Sequence, residues 1–142
     1  RTVIRDLSRK YKLFITSEEK LDDALEEFRI KIPPERIHDA LYYSSLFIGE
    51  GATMCVESSF LGVPSIFVYP NKELGNVAEI SKYGLLNRVE KWSDLINLEL
   101  INEQLSFSKE YYNEKSKFLI SEKVDVTKYL TENIVQTVKG KA

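Results

Sequence analysis

Two glycines, Gly49 and Gly51, bracket a short turn that follows the apolar run 46–48. A helical pattern begins directly after them, near Thr53, so the turn opens onto the N-terminus of a helix. The first backbone N–H groups of a helix have no partner inside it and carry a partial positive charge. They therefore suit a phosphate or another anion. The alternative interpretation is a tight turn between strand and helix that binds nothing.

An acidic residue, Glu50, stands between the two glycines. A carboxylate beside a bound diphosphate repels it unless the carboxylate points away or meets a metal ion or a sugar hydroxyl. Glu50 is the feature of the turn that favours a module which kept the scaffold and binds no nucleotide.

His38 and Cys55 are the only histidine and the only cysteine. His38 is the natural general-base candidate. Its place near a helix start, beside Asp39, favours a residue whose hydrogen bonds are satisfied locally over one that lines the ligand or acts in catalysis. Cys55 falls within the helix after the glycine turn, and we interpret it as a core residue rather than a nucleophile. A single cysteine excludes an internal disulfide, and one cysteine with one histidine does not favour a zinc site, so we expect no metal.

Familiar nucleotide-binding signatures are absent from the sequence. No G-x-x-x-x-G-K-[ST] spacing occurs, so there is no P-loop. The dinucleotide fingerprint G-x-G-x-x-G is broken, because Met54 stands where the third glycine is required. This disfavours a nicotinamide dehydrogenase.

Alternating strand and helix patterns surround the glycine turn. They predict about five strands, at 12–16, 28–32, 46–48, 65–69 and 85–89. Helices are predicted at 2–10, 17–27, 35–44, 53–61 and 76–83, then one capped by Ser93 or Asp94, with helical structure from 102 to 139. Gly62 and Gly84 are the predicted stops of two helices. The pattern indicates one domain over 1–142, a three-layer Rossmann-like α/β fold with a mostly parallel sheet, followed by C-terminal helices.

Composition fits one globular domain of 142 residues, with 43% hydrophobic and 30% charged residues. A net charge of −2 gives no electrostatic case for nucleic acid or an anionic membrane. No apolar run reaches the roughly 20 residues that a membrane span needs. We expect a reducing, cytoplasmic setting. Because the chain starts at Arg1, we expect a fragment or a processed chain.

The stretch from Gly49 to Pro64 reads G-E-G-A-T-M-x-x-E-x-x-x-L-G-x-P. It resembles the nucleotide-binding half of GT-B glycosyltransferases and of UDP-N-acetylglucosamine 2-epimerases. With the preceding residues, IHDALYYSSLFIGEGATM, it is most similar to the DUF354 family of predicted glycosyltransferase-like proteins. Those proteins have two domains and about twice this length, so the resemblance implies the C-terminal half. It is strongest over 32–86.

The resemblance implies roles for particular residues. Gly51, Ala52 and Thr53 correspond to the turn and helix start that hold the donor diphosphate. Glu57 corresponds to the glutamate that accepts hydrogen bonds from the ribose hydroxyls. It lies four residues after Thr53, so both face one side of the helix. Residues 32–36 correspond to a loop that lines the base, and residues 71–75 to one that contacts the donor sugar.

Two hypotheses follow. The first is the donor-binding half of a metal-independent sugar-nucleotide transferase or epimerase, with no cofactor beyond its nucleoside-diphosphate-sugar substrate. Its catalytic base and acceptor site would come from an N-terminal domain in cis. The second is a non-catalytic α/β binding or interaction module. A homodimer, formed through an uncovered sheet edge or the face that the other domain would cover, is a further expectation.

Overall fold

A three-stranded parallel sheet forms the centre of the computed structural model, which describes residues 2–17, 19–71 and 74–140. Strands β1 (Phe47–Gly49), β2 (Ser65–Val68) and β3 (Leu86–Val89) lie side by side in that order. Every residue of β2 is buried, as its unbroken apolar run requires for a central parallel strand. The α/β class with a parallel sheet is therefore confirmed.

Seven α-helices and three short 3₁₀ helices are present among the described residues. The α-helices are α1 (Thr2–Lys10), α2 (Ile37–Tyr43), α3 (Ala52–Phe60), α4 (Gly75–Ser81), α5 (Glu99–Ser106), α6 (Lys109–Ser121) and α7 (Val126–Lys139). The 3₁₀ helices are Glu26–Phe28, Pro34–Arg36 and Trp92–Leu95.

Side chains of β2 alternate between two hydrophobic clusters, one on each face of the sheet. Phe67 packs with Cys55 of α3, and residues of α4 and α6 complete that cluster. Ile66 and Val68 pack on the other face against α1, α5 and Leu95 of the third 3₁₀ helix. The sheet is thus covered on both sides, which gives the three layers predicted from the sequence.

The predicted strands at 12–16 and 28–32 are reduced to a single parallel bridge between Ile15 and Arg29. Two backbone hydrogen bonds support it, from Ile15 N to Phe28 O at 2.8 Å and from Ile30 N to Ile15 O at 3.0 Å. Phe14 is 57% exposed, so the first segment lacks the buried face that would extend a strand. The expected count of about five strands is therefore wrong for the described residues.

The predicted helix at 17–27 is also wrong. Arg29 draws this segment into a loop: its guanidinium donates to Ser17 O at 3.0 Å and to Glu19 O at 2.8 Å, and pairs with the Glu26 carboxylate at 2.9 Å. Those two carbonyls consequently accept from a side chain rather than from amides four residues later. Ser17, the expected N-cap, donates its hydroxyl to Glu19 O instead.

Local signals around the central unit are confirmed. Helix α3 matches its predicted bounds within a residue at each end. Gly62 and Gly84 stop α3 and α4 with φ of +73° and +66°, the left-handed conformation that suits glycine.

The segment after β3 is a 3₁₀ helix whose N-cap is Lys91, so neither Ser93 nor Asp94 is the cap that the sequence predicted. Asp94 acts from inside the turn instead: its carboxylate accepts from the backbone N–H of Lys91 at 3.1 Å. The prediction differs from the structure because Asp94 is the acid of a capping box: it lies at the third helical position and accepts from the backbone N–H of the N-cap residue.

Helices α5, α6 and α7 account for the helical structure predicted near the C-terminus. Helix α6 packs on α3, and its Ser116 hydroxyl donates to Phe60 O at 2.6 Å. Helix α7 buries no residue. Among the described residues, no helix combines the length and apolar character needed to cross a bilayer.

Candidate functional site

The N-terminus of α3 lies at the carboxyl end of β1, with Gly51 as its N-cap. Gly51 is exposed, and its φ of −91° and ψ of 109° are open to any residue. No side chain of the described chain caps the helix, and a Cβ at this position would meet nothing within 4 Å. The first N–H groups of α3 consequently have no side-chain partner in the described chain, and they lie at the edge where parallel sheets bind ligands.

Gly49 differs from Gly51 in what surrounds it. A Cβ on Gly49 would lie 2.8 Å from Cζ and 3.0 Å from Cε1 of the Phe47 ring. Packing within the strand therefore explains Gly49, whereas nothing in the described chain explains Gly51. A part for Gly49 in anion binding stays a prediction.

The other predicted binding residues occupy the first two turns of α3. Ala52 opens the helix and packs against the core cluster that contains Cys55. Thr53 is exposed, and Glu57 follows it one turn later, partly exposed on the same side. The structure thus places a backbone N-terminus, a hydroxyl and a carboxylate along one surface.

His38 meets Glu57 across two helices. The distance from His38 Nε2 to Glu57 Oε2 is 3.1 Å, and the two side chains are 57% and 38% exposed. Since a carboxylate only accepts, the ring nitrogen is the donor. The sequence predicted a histidine satisfied within its own helix start, and the structure corrects this: its partner lies 19 residues away.

Glu50 hydrogen bonds with Trp92, which the sequence did not mark as part of this edge. The Trp92 indole Nε1 donates to Glu50 Oε1 at 2.5 Å. The 3₁₀ helix that Trp92 begins packs with α1 and α5, on the face of the sheet opposite to α3. The Glu50 carboxylate therefore has a hydrogen-bond donor from the element that follows β3.

Arg88 is a cation at the same edge that sequence patterns gave no reason to select. It lies in one row across the sheet with Phe67 and Gly49. Its Nη2 donates to Asn71 O at 2.6 Å, and its Nε is buried without a partner. Leu86, two residues earlier on β3, packs in the α3-side cluster, so Arg88 adds positive charge on that side. Lys72 and Glu73, in the predicted sugar-contacting loop, lie outside the described residues.

Cys55 is fully buried, and burial raises the pKa of its thiol to about 12. The thiol is therefore neutral at ordinary pH, which confirms a core residue rather than a nucleophile.

No group of three His, Cys, Asp or Glu side chains in the described part of the chain could hold a metal ion. Two surface cavities, of about 250 and 630 Å³, lie away from Gly51. One lies along α7 and the other where α6 meets the end of α4, so neither includes a predicted site residue.

The comparisons with known proteins agree with the family resemblance but give no function. Neither curated proteins nor solved structures contain a match to this chain. A family model described as protein of unknown function (DUF354) matches residues 3–139. That match spans nearly the whole sequence, and the chain therefore belongs to the DUF354 family.

Proposed function

We propose that this chain is the nucleotide-sugar donor-binding domain of a GT-B-type glycosyltransferase, acting with an N-terminal domain in cis. The observation that carries the proposal is Gly51. Neither its backbone angles nor its surroundings require glycine, yet the residue caps a helix whose first N–H groups have no side-chain partner among the described residues. A glycine there lets the oxygens of a phosphate approach the backbone closely.

The donor would lie along the first two turns of α3. The N–H groups of Ala52 and Thr53, with the Thr53 hydroxyl, would bind the diphosphate. Glu57 would accept hydrogen bonds from the two ribose hydroxyls, since one carboxylate can accept both. This assignment combines the exposed surface of α3 with the family resemblance of Gly49 to Pro64.

In the reaction, these groups would act on the leaving group. Transfer of the sugar leaves negative charge on the nucleoside diphosphate, and a helix N-terminus already in place stabilises that charge. Arg88 adds a positive charge at the same edge. The N-terminal domain would supply the acceptor and the base, and closure of the two domains would exclude water.

An epimerase half similar to UDP-N-acetylglucosamine 2-epimerases is an alternative, because it would use the same contacts to the nucleotide. A non-catalytic α/β module is the second alternative. Glu50 was its main support, and the bond from Trp92 Nε1 to Glu50 weakens that support, since the carboxylate already has a partner within the fold.

The test is calorimetry of UDP, GDP, CMP and their sugars with the wild-type chain and three glycine variants. Gly51→Ala fits the backbone, so we expect a free energy of unfolding within about 0.5 kcal/mol of wild type. Its methyl group blocks the approach to α3, so binding of nucleoside diphosphates should weaken at least about 10-fold. Gly75→Ala is the matched control for the nucleotides without a sugar, because a Cβ there also meets open space and residues 71–75 are implied to contact the sugar alone; it should bind UDP and GDP as wild type does.

Gly49→Ala should show the reverse of Gly51→Ala, with its main effect on stability. The added methyl group presses on the Phe47 ring, which should cost about 1–2 kcal/mol of stability.

No binding of any nucleotide at millimolar concentration by the folded wild-type chain would refute the proposed function. Equal binding by wild type and Gly51→Ala would remove α3 as the diphosphate site.

A further inference from the structure

We infer that His38 is a positioning residue for Glu57. Its imidazole holds one carboxylate oxygen so that the other is directed to the ribose diol of a bound nucleotide. This inference rests on the proposed function, because it adds a second residue to the same nucleoside subsite.

The two oxygens of the Glu57 carboxylate have different surroundings. His38 Nε2 donates to Glu57 Oε2 at 3.1 Å, while Oε1 has no hydrogen bond within the described residues. Glu57 is 38% exposed, so the remaining acceptor is open to a ligand. One oxygen is thus fixed by the protein, and the other, with two lone pairs, is left for the two hydroxyls of the ribose.

The fold brings the two residues to the edge where the nucleotide would bind. Helix α3 follows β1 and begins at the carboxyl end of the sheet, and Glu57 lies one turn after its exposed Thr53. His38 is the second residue of α2, and α2 packs on α3. The pair therefore lies beside the surface that carries Thr53, rather than on a remote part of the helix.

Restraint of Glu57 in the free protein would affect affinity, because a glutamate on an exposed helix face samples several rotamers. Ordering that side chain on binding costs conformational entropy. A contact that already restrains the carboxylate in the free protein reduces this cost and increases affinity. The other charges at the start of α2 are paired with each other: Arg36 Nε lies 2.9 Å from Asp39 Oδ2. His38 is consequently the group of this helix start that is engaged with Glu57.

The experiment measures the Kd of UDP and GDP, and of their 2′-deoxy forms, for wild type, His38→Ala, His38→Gln, Glu57→Ala and the double variant. His38→Ala should weaken binding of the ribonucleotide about 3- to 10-fold. It should weaken the 2′-deoxy form less, so the preference for ribose should shrink. His38→Gln retains an N–H donor of similar reach and should restore most of that preference.

Non-additivity is the second readout. If His38 acts only through Glu57, the double variant should bind no more weakly than Glu57→Ala alone. Asp39→Asn, in the same helix turn and turned to Arg36, is the control and should bind as wild type does. His38 is 57% exposed, so its loss should leave the unfolding midpoint nearly unchanged.

The outcomes separate the two proposals. Nucleotide binding that Glu57→Ala weakens and His38→Ala leaves unchanged would overturn this inference and retain the proposed function. Equal losses for ribose and 2′-deoxyribose, or additive losses in the double variant, would mean that His38 contacts the ligand itself, which also overturns it. No binding by the folded wild-type chain would remove both.

Discussion

At the scale of single residues, the two acids near the candidate phosphate site have different partners. Glu50 accepts from the neutral indole of Trp92, and Glu57 accepts from the imidazole of His38. The indole of Trp92 hydrogen bonds with the Glu50 carboxylate and brings no charge to offset it. His38 donates a hydrogen bond that restrains one oxygen of the Glu57 carboxylate.

Cys55 supplies a prediction at this scale, because its thiol is buried and the pKa is raised to about 12. We expect the native chain to resist alkylation by iodoacetamide at pH 8, where an exposed thiol of ordinary pKa reacts readily. Adding urea through the unfolding transition should release the reaction. Mass spectrometry of the time course checks this, and rapid modification of the native chain would contradict a core position for Cys55.

At the scale of elements, α6 acts as a brace across the ends of α3 and α4. The Asn113 side chain lies against Gly62, where α3 stops. Lys115 Nζ donates to Tyr83 O at 3.0 Å, just after α4. A side chain on Gly62 would strain the left-handed backbone and meet Asn113, so this glycine serves both the turn and the packing of α6.

Glu79 of α4 forms ion pairs with Lys82 and with Lys123, which follows the C-terminal end of α6. Its carboxylate lies 2.6 Å from Lys123 Nζ and 2.6 Å from Lys82 Nζ. The hydrogen bond from Lys123, followed by that from Lys82, lowers the pKa of Glu79 to about 2. Because the folded-state pKa lies below the unfolded value of about 4.3, the stabilisation is complete above that value and is lost as pH falls toward about 2.

Glu79→Gln should therefore lower the thermal midpoint relative to wild type at pH 6–7, and the difference should close as pH falls from about 4.5 to 2. Salt should also reduce the difference, since the pair is exposed. Thermal unfolding followed by circular dichroism at several pH values measures it. Glu132→Gln, an exposed carboxylate on α7, is the control. A difference that persists unchanged at pH 2 would show that the ion pairs do not cause it.

At the scale of the whole molecule, the layered unit ends with α6, and α7 continues beyond it. Every residue of α7 is exposed, including Leu130, Ile134 and Val138 at 52–66%. A helix of 14 residues has marginal stability without tertiary packing. Within the described chain, α7 therefore contributes little to the free energy of unfolding.

Removal of residues 125–142 tests this directly. We expect the truncated chain to unfold within about 0.5 kcal/mol of the full chain, because no buried contact is lost. Removal of residues 109–142 also deletes α6, with its buried Tyr112 and Leu119, and should abolish cooperative unfolding. Urea titrations of the three chains make the comparison. A large loss from the shorter truncation would show that α7 packs on the domain or on a second copy.

The homodimer expected from the sequence stays a prediction, which light scattering can check.

Sequence alone determined the central strand–helix–strand unit, because the signals there are local. Glycine at a left-handed stop, apolar runs of strand length and helical spacing each act within a few residues. The same signals failed at 12–32, where Arg29 binds the carbonyls of Ser17 and Glu19 and the apolar residues find no core. The sequence selected Gly51, Thr53 and Glu57, which the structure places on one surface.

Only the tertiary structure decided which side chains the acids near that surface contact. Glu57 meets His38 at a separation of 19 residues, and Glu50 meets Trp92 at 42. No periodicity or spacing in the sequence predicts either pairing, because each depends on which elements pack side by side. Gly49 and Gly51 are also the same residue in the sequence. Only their surroundings, a phenyl ring for Gly49 and open space for Gly51, show that packing requires one glycine and not the other.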